Sequence, residues 1–187
     1  MDNELINQCL KDLCVTDPEK DKQRIEDDKD QLVRECYTWI LEDRDLQDWR
    51  DRGNSRLLWI KGDPGKGKTM LMIALINELS TILEQSYGSG VLAYFFCQNT
   101  DPRLNKAASV LRGLIFVLVT QHRGLVQHVR KEYDKTGRQL FEGPNALHSL
   151  WSILSDILKD PSLPRVYLLV DALDECDIGL VQLLKLI

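Results

Sequence analysis

The eight residues Gly62-Asp63-Pro64-Gly65-Lys66-Gly67-Lys68-Thr69 follow the pattern G-x-x-x-x-G-K-[ST], and their types match what holding a polyphosphate demands. Backbone N–H groups must converge on phosphate oxygens, an approach that a side chain at Gly65 or Gly67 would obstruct. Lys68 supplies a point charge for the β and γ phosphates. The Thr69 hydroxyl supplies one ligand to a Mg²⁺ ion that otherwise keeps water and phosphate oxygens. Pro64 fixes one φ angle of the turn. The chemistry expected is binding of a nucleoside triphosphate with Mg²⁺; these residues do not choose between ATP and GTP.

A second cluster of carboxylates belongs to the same chemistry. The apolar run Arg165-Val166-Tyr167-Leu168-Leu169-Val170 ends in Asp171, followed by Ala172-Leu173-Asp174-Glu175. A buried strand of this kind delivers a carboxylate to its C-terminal edge, where Asp171 can hold Mg²⁺ through a water. Ala172 is small enough to leave room. Glu175 can polarise a water for in-line displacement at the γ phosphate, and Asp174 competes for that role. Asp174, Glu175 and Asp177 also fit the acidic first turn of a solvated helix.

Both clusters need elements to hold them. Leu57-Leu58-Trp59-Ile60 reads as a short strand before the phosphate loop, and Met70 to Leu79 as a helix after it, with Leu71, Leu75 and Leu79 at helical spacing. The new helix aims the positive end of its dipole at the anion. Val91 to Cys97, apolar throughout, reads as a second strand buried on both faces, and Arg165 begins a third. Between them, Val110, Leu111, Leu114, Ile115, Leu118 and Val119 share one helix face. Leu150, Leu154, Ile157 and Leu158 share another. Upstream, Leu32, Val33, Cys36, Trp39 and Ile40 mark a helix running from Ile25 towards Trp49, and the turn Arg52-Gly53-Asn54-Ser55 leads into the first strand. Gly88-Ser89-Gly90 ends the helix after the phosphate loop. This order predicts an α/β fold, a parallel sheet covered by helices, with the ligand at the C-terminal ends of the strands. Residues 1–24, which include Asp17-Pro18-Glu19-Lys20-Asp21-Lys22, read as a polar connector and helix start; residues 25–187 read as the nucleotide domain.

Composition narrows the class. A chain of 187 residues with 43% hydrophobic content can fill one domain core. Nothing is apolar and long enough to cross a membrane or act as a signal peptide, so a soluble, cytoplasmic protein is expected. Five scattered cysteines, Cys9, Cys14, Cys36, Cys97 and Cys176, form no C-x-x-C pair and suggest neither a zinc site nor a disulfide framework. His122, His128 and His148 lack metal-ligand spacing and read as surface residues. A formal net charge of −5 without a basic stripe argues against nucleic acid as the partner.

Three blocks carry a family resemblance: LLWIKGDPGKGKTMLMIALINEL, AYFFCQNTDPRLNKAASVLRGLIFVLVTQ and VYLLVDALDEC. They resemble the NACHT nucleotide-binding domain of fungal STAND proteins, a group that includes heterokaryon-incompatibility proteins with WD repeats. The same region is also described as nephrocystin-like. Asp171-Ala172-Leu173-Asp174-Glu175 fits the NACHT form of the Walker B motif, and VTDPEKDKQRIEDDKDQLVRECYTWIL is similar to what precedes the loop in these proteins. The resemblance implies a three-layer α/β/α P-loop NTPase with an N-terminal helical lead-in. It also implies phosphate binding by Gly62 to Thr69, a Mg²⁺ role for Asp171, and support of hydrolysis by Asp174 or Glu175. Motifs of small GTPases and transporter ATPases are missing: Asn105-Lys106 continues as Ala107-Ala108, and there is no L-S-G-G-Q.

In the proteins it resembles, further strands follow, one of them lying between the strands that carry the two motifs, and then a sensor arginine. This chain reaches Ile187 shortly after Asp171, so an incomplete sheet and slow or absent turnover are expected. The two strands would then face a gap or pair directly. Arg103, Arg112 and Arg165 suit surface or helix-cap roles better than a catalytic one. The alternative is a catalytically incompetent fragment that associates with itself or with full-length STAND relatives. Trp59 and Tyr94 read as core residues rather than base contacts.

Overall fold

The two most β-rich runs become the sheet of the computed structural model. β1 (Gly90–Phe96) and β2 (Arg165–Asp171) pair in parallel, from Gly90 opposite Arg165 to Phe96 opposite Asp171. The structure describes residues 2–28, 37–53, 56–85 and 90–187; Leu32, Val33, Cys36, Asn54-Ser55 and Gly88-Ser89 lie outside them. Alternation along β1 divides the interior into two cores. Val91, Ala93 and Phe95 face a core built with α6 (Ala107–Gln121) and α9 (Ala146–Leu158). Leu92, Tyr94 and Phe96 join Tyr167 and Leu169 in a second core under α5 (Lys68–Gln85). Helices on both faces explain why β1 reads as an unbroken apolar run. The architecture is a helix-rich α/β arrangement around a two-stranded parallel sheet.

Contact between α6 and β1 depends on Gly113. A Cβ there would lie 2.2 Å from Cδ2 of Phe95, a buried ring on the strand. Glycine in mid-helix costs about 1 kcal/mol against alanine, and here it permits the helix to approach the sheet.

One expected strand is not formed. Residues 56–60 have no strand assignment, and among the described residues their backbone bonds neither to β1 nor to β2. Their side chains still alternate as in a strand. Leu58 and Ile60 pack on the second core, while Leu57 and Trp59 are 71% and 55% exposed. The pattern is present but the ladder partner is not, and a strand is defined by its partner. Trp59 is therefore exposed rather than packed in the core. The segment follows α4 (Arg44–Asp51), whose end is tied to the start of β2: Arg165 Nη1 and the Tyr167 hydroxyl donate to the Arg50 carbonyl at 3.0 and 2.8 Å.

Residues 2–24, read from the sequence as a polar connector, hold one packed helix and most of another. α1 (Asp2–Leu13) buries Cys9 and Leu13 completely. Arg112 on α6 closes its C-terminal end, donating from Nη2 to the Asp12 carbonyl at 2.7 Å and from Nε to the Leu13 carbonyl at 3.0 Å. α2 (Pro18–Asp27) begins with Asp17 as N-cap, accepting from the Glu19 N–H, and with proline at the first position. The Tyr94 hydroxyl then donates to Glu19 at 2.5 Å, joining α2 to β1. Polarity in this stretch is the outer face of packed helices. The helix expected to run from Ile25 towards Trp49 is not continuous: α2 ends at Asp27, and α3 (Thr38–Leu41) is separate from α4 because Asp43 accepts from the N–H groups of Asp45 and Leu46 and starts a new helix.

The described residues also form α7 (Val126–Thr136), α8 (Gln139–Glu142) and α10 (Leu180–Leu186). α7 stops at Gly137, whose φ is +58°. Cys9, Cys97 and Cys176 are buried, Cys14 is half-buried, and all four are free thiols. Burial pushes the Cys9 thiol up to about 12. His128 is paired with Asp160 at 2.7 Å rather than free on the surface. Among the described residues no helix is long and apolar enough to cross a membrane.

Candidate functional site

The phosphate-loop sequence folds as a turn that empties directly into α5. Gly65 and Gly67 have φ of +75° and +76°, the left-handed region that side-chain-bearing residues avoid. A Cβ at either would meet no protein atom within 4 Å. Conformation and access therefore demand glycine, and packing does not. α5 starts at Lys68, and its first hydrogen bond runs from the Leu71 N–H to the Gly67 carbonyl at 2.9 Å. Among the described residues the N–H groups of Gly65 to Thr69 have no backbone acceptor. Five orphan amides at the N-terminus of an 18-residue helix make a cradle for an anion.

Lys68 already leans over this cradle. Its ammonium donates to the carbonyls of Gly62 at 2.7 Å and Asp63 at 3.1 Å, both within the loop. Thr69 is half-buried at the base of α5, and residues 61–67, including Asp63, Pro64 and Lys66, are exposed. The loop lies open, and neither of the two principal cavities is lined by it. The donor set fits phosphate oxygens.

Asp171 closes β2 and is 6% exposed. Its carbonyl accepts from the Cys97 N–H at 3.1 Å, extending the pairing of the strands by one residue. The chain then turns sharply: Ala172 has φ of +50°, and Leu173–Glu175 form a single 3₁₀ turn. A left-handed alanine is uncommon; here it carries Asp174 and Glu175 off the strand end. The two acids part company at this turn. Glu175 is half-buried, and its Oε2 accepts from the Asn99 N–H at 3.0 Å, just beyond β1. Asp174 is exposed. One carboxylate is thus oriented by backbone and the other is free to move in solvent. Asp171 and Glu175 also help push the buried Cys97 thiol up, after burial itself and Cys176.

α5 packs on both strands and carries Lys68 and Thr69 at its first turn, while Asp171 ends β2. The arginines stand apart from this group. Arg103 is paired with Asp101 at 2.7 Å, Arg112 caps α1, and Arg165 caps α4. Sequence reasoning missed the Asn99 N–H that holds Glu175, because a backbone donor 76 positions away leaves no mark in residue type.

Residues 35–187 match the family model described as Nephrocystin 3, N-terminal. The chain is 52% identical over 179 residues to the "Vegetative incompatibility protein HET-E-1" of Podospora anserina, an alignment covering 96% of this chain and 13% of that relative. It therefore spans a small part of the length of the curated protein it matches. No solved structure matches.

Proposed function

Since the chain belongs to the Nephrocystin 3, N-terminal family, we propose that it binds a nucleoside triphosphate, ATP or GTP, with Mg²⁺ and serves as the nucleotide-responsive part of a P-loop switch of the STAND type. The observation that carries this reading is the array of unpaired amides between Gly65 and Thr69, opened by two left-handed glycines and overhung by the Lys68 ammonium. The amides take phosphate oxygens, and Lys68 exchanges its bonds to the Gly62 and Asp63 carbonyls for one of them. Thr69 and Asp171 are the residues that would hold Mg²⁺, whose chemistry is to neutralise charge on the bridging phosphate oxygens. Glu175, fixed by Asn99, orients a water at the γ phosphate more readily than exposed Asp174 does. Turnover is expected to be slow, because no arginine stands free near the loop among the described residues.

The name of the relative supports a role in fungal vegetative incompatibility, with bound nucleotide shifting the chain between two arrangements and self-association as the output. The exposed loop and residues 57–60, which among the described residues join neither strand of the sheet, favour a second reading, a non-catalytic module that docks to longer relatives.

Calorimetric titration of the purified chain with ATP and with GTP, each with Mg²⁺, tests the first reading. Micromolar binding is expected, weakened about 10–100-fold by Lys68→Ala, the loss of a charge-assisted hydrogen bond worth about 1.5–3 kcal/mol. Equal affinity in the Lys68→Ala protein would overturn the assignment. Absence of binding by a folded chain would favour the docking module.

A further inference from the structure

β1 has a second edge, and the register of the sheet fixes which of its peptide groups lie there. In a parallel pair, alternate residues of a strand turn both their N–H and their carbonyl towards the partner. The Cys97 N–H bonds to the Asp171 carbonyl on the β2 side. By that alternation Val91, Ala93 and Phe95 also bond to β2, while Leu92 and Tyr94 turn their peptide groups the opposite way. The Leu92 carbonyl bears this out, since it accepts from Nε2 of Gln121 on α6 at 3.0 Å. Among the described residues the Leu92 N–H and both backbone groups of Tyr94 find no partner, although these residues are only 6% and 7% exposed. Buried peptide groups are rarely left so.

A cleft of about 330 Å³ opens on this edge, lined by Leu92 and Tyr94 themselves. The end of α5 forms one wall, on the side to which the Leu92 and Tyr94 side chains point, and the end of α6 forms the other. Phe116 and Val117 make the α6 wall apolar. Glu84 lies on the α5 wall, and Asp17 and Glu19 at the start of α2 close one end. Among the described residues no lysine, arginine or histidine lines the cleft. Glu19 accepts from the Tyr94 hydroxyl and stands 3.9 Å from Lys22, and Asp17 caps α2. Glu84 is exposed and without a partner among the described residues.

Unmade main-chain bonds between an apolar wall and an acidic one match an extended peptide, whose backbone completes the edge while alternate side chains reach opposite walls. A second copy of this chain is disfavoured, because it would bring the same carboxylates against these. We infer that the free edge of β1 takes an extended peptide of alternating apolar and basic residues. Its apolar side chains lie on Phe116 and Val117, and a lysine or arginine faces Glu84. Gln121 is the built-in competitor, holding the Leu92 carbonyl until a peptide N–H takes it. Gly90 to Tyr94 spans about 13 Å at about 3.3 Å per residue, so a peptide of about five residues fills the edge. The site is separate from the phosphate loop and does not depend on the nucleotide reading.

Acetyl-Val-Lys-Val-Lys-Val-amide is the probe, titrated calorimetrically into the full chain. Saturable binding is expected, and none by the peptide with glutamate in place of lysine. Gln121→Ala, on an exposed residue, should strengthen binding about fivefold, since one hydrogen bond fewer must be broken. Glu84→Lys, also exposed, should weaken it about fivefold. Only one alternate set of peptide amides faces β1, so N-methylation of the lysine amides and of the valine amides should differ, one abolishing binding and the other sparing it. Absence of saturable binding overturns the proposal. So does equal affinity in the Gln121→Ala protein, or equal affinity of the two N-methyl peptides, because charge alone would then hold the probe. A chain that dimerises by itself, more tightly as Gln121→Ala, and excludes the peptide overturns it too, because a second copy would then hold the edge.

Discussion

Gly113→Ala tests whether α6 is pressed on the sheet as described. The added methyl would lie 2.2 Å from Cδ2 and 2.8 Å from Cε2 of Phe95, against about 3.5–4.0 Å for a relaxed carbon contact. Phe95 is 2% exposed and belongs to the core on that face, so its ring cannot swing into solvent. Either the ring leaves its rotamer or α6 retreats. Helix propensity alone favours alanine by about 1 kcal/mol, and overpacking of this severity costs about 3 kcal/mol, the upper part of its usual range. The net is a loss of about 2 kcal/mol. For a domain of this size that lowers Tm by about 4–8 °C. Urea unfolding followed by tryptophan fluorescence and far-UV circular dichroism measures it. The double variant with Phe95→Leu supplies the control: without the ring, Gly113→Ala should cost at least about 1 kcal/mol less. A Gly113→Ala protein as stable as the parent, or costs that simply add in the double variant, would refute the close approach and the reason given for glycine.

Arg112→Met keeps the aliphatic stem but removes the donors that close α1, and should destabilise by about 1.5–3 kcal/mol, as for hydrogen bonds from a charged group. Hydrogen exchange should speed up first in Cys9 to Leu13; unchanged protection there would show that α1 does not rely on this cap. Asp160 provides a pH signature, since the Ser162 hydroxyl and then His128 hold its carboxyl down to about 2. A carboxyl depressed in the folded state contributes stability above its unfolded pKa and loses it as pH falls through the folded one. The Tm difference between parent and Asp160→Asn protein should therefore be full at pH 5 and close between about pH 4 and pH 2. A difference that stays constant over that window would remove Asp160 as its source.

Much of the fold was legible where the signal is local. Helices after the phosphate loop, over Ala107–Gln121 and over Ala146–Leu158 follow from apolar spacing within the segment itself, and the two paired strands from short β-rich runs. Leu57 to Ile60 has the same local signal yet makes no ladder among the described residues, because ladder hydrogen bonds come from another strand and no residue in the segment can supply them. Residues 2–24 show the opposite case. Their charges dominate the composition, while burial of Cys9, Leu13 and Pro18 depends on what α6, α7 and β1 place beside them.

The candidate site divides along the same line. Sequence by itself determined the glycines, Lys68, Thr69, Asp171 and the acidic pair, since a helix N-terminus that accepts an anion is a property of consecutive residues. Only tertiary structure sets Glu175 apart from Asp174, through a backbone N–H after β1 that anchors one and leaves the other in solvent. Tertiary structure alone also assembled the cleft on the free edge of β1, from residues between Asp17 and Gln121. Burial and hydrogen-bond partners are set by segments far apart in the chain, and residue type carries no record of them.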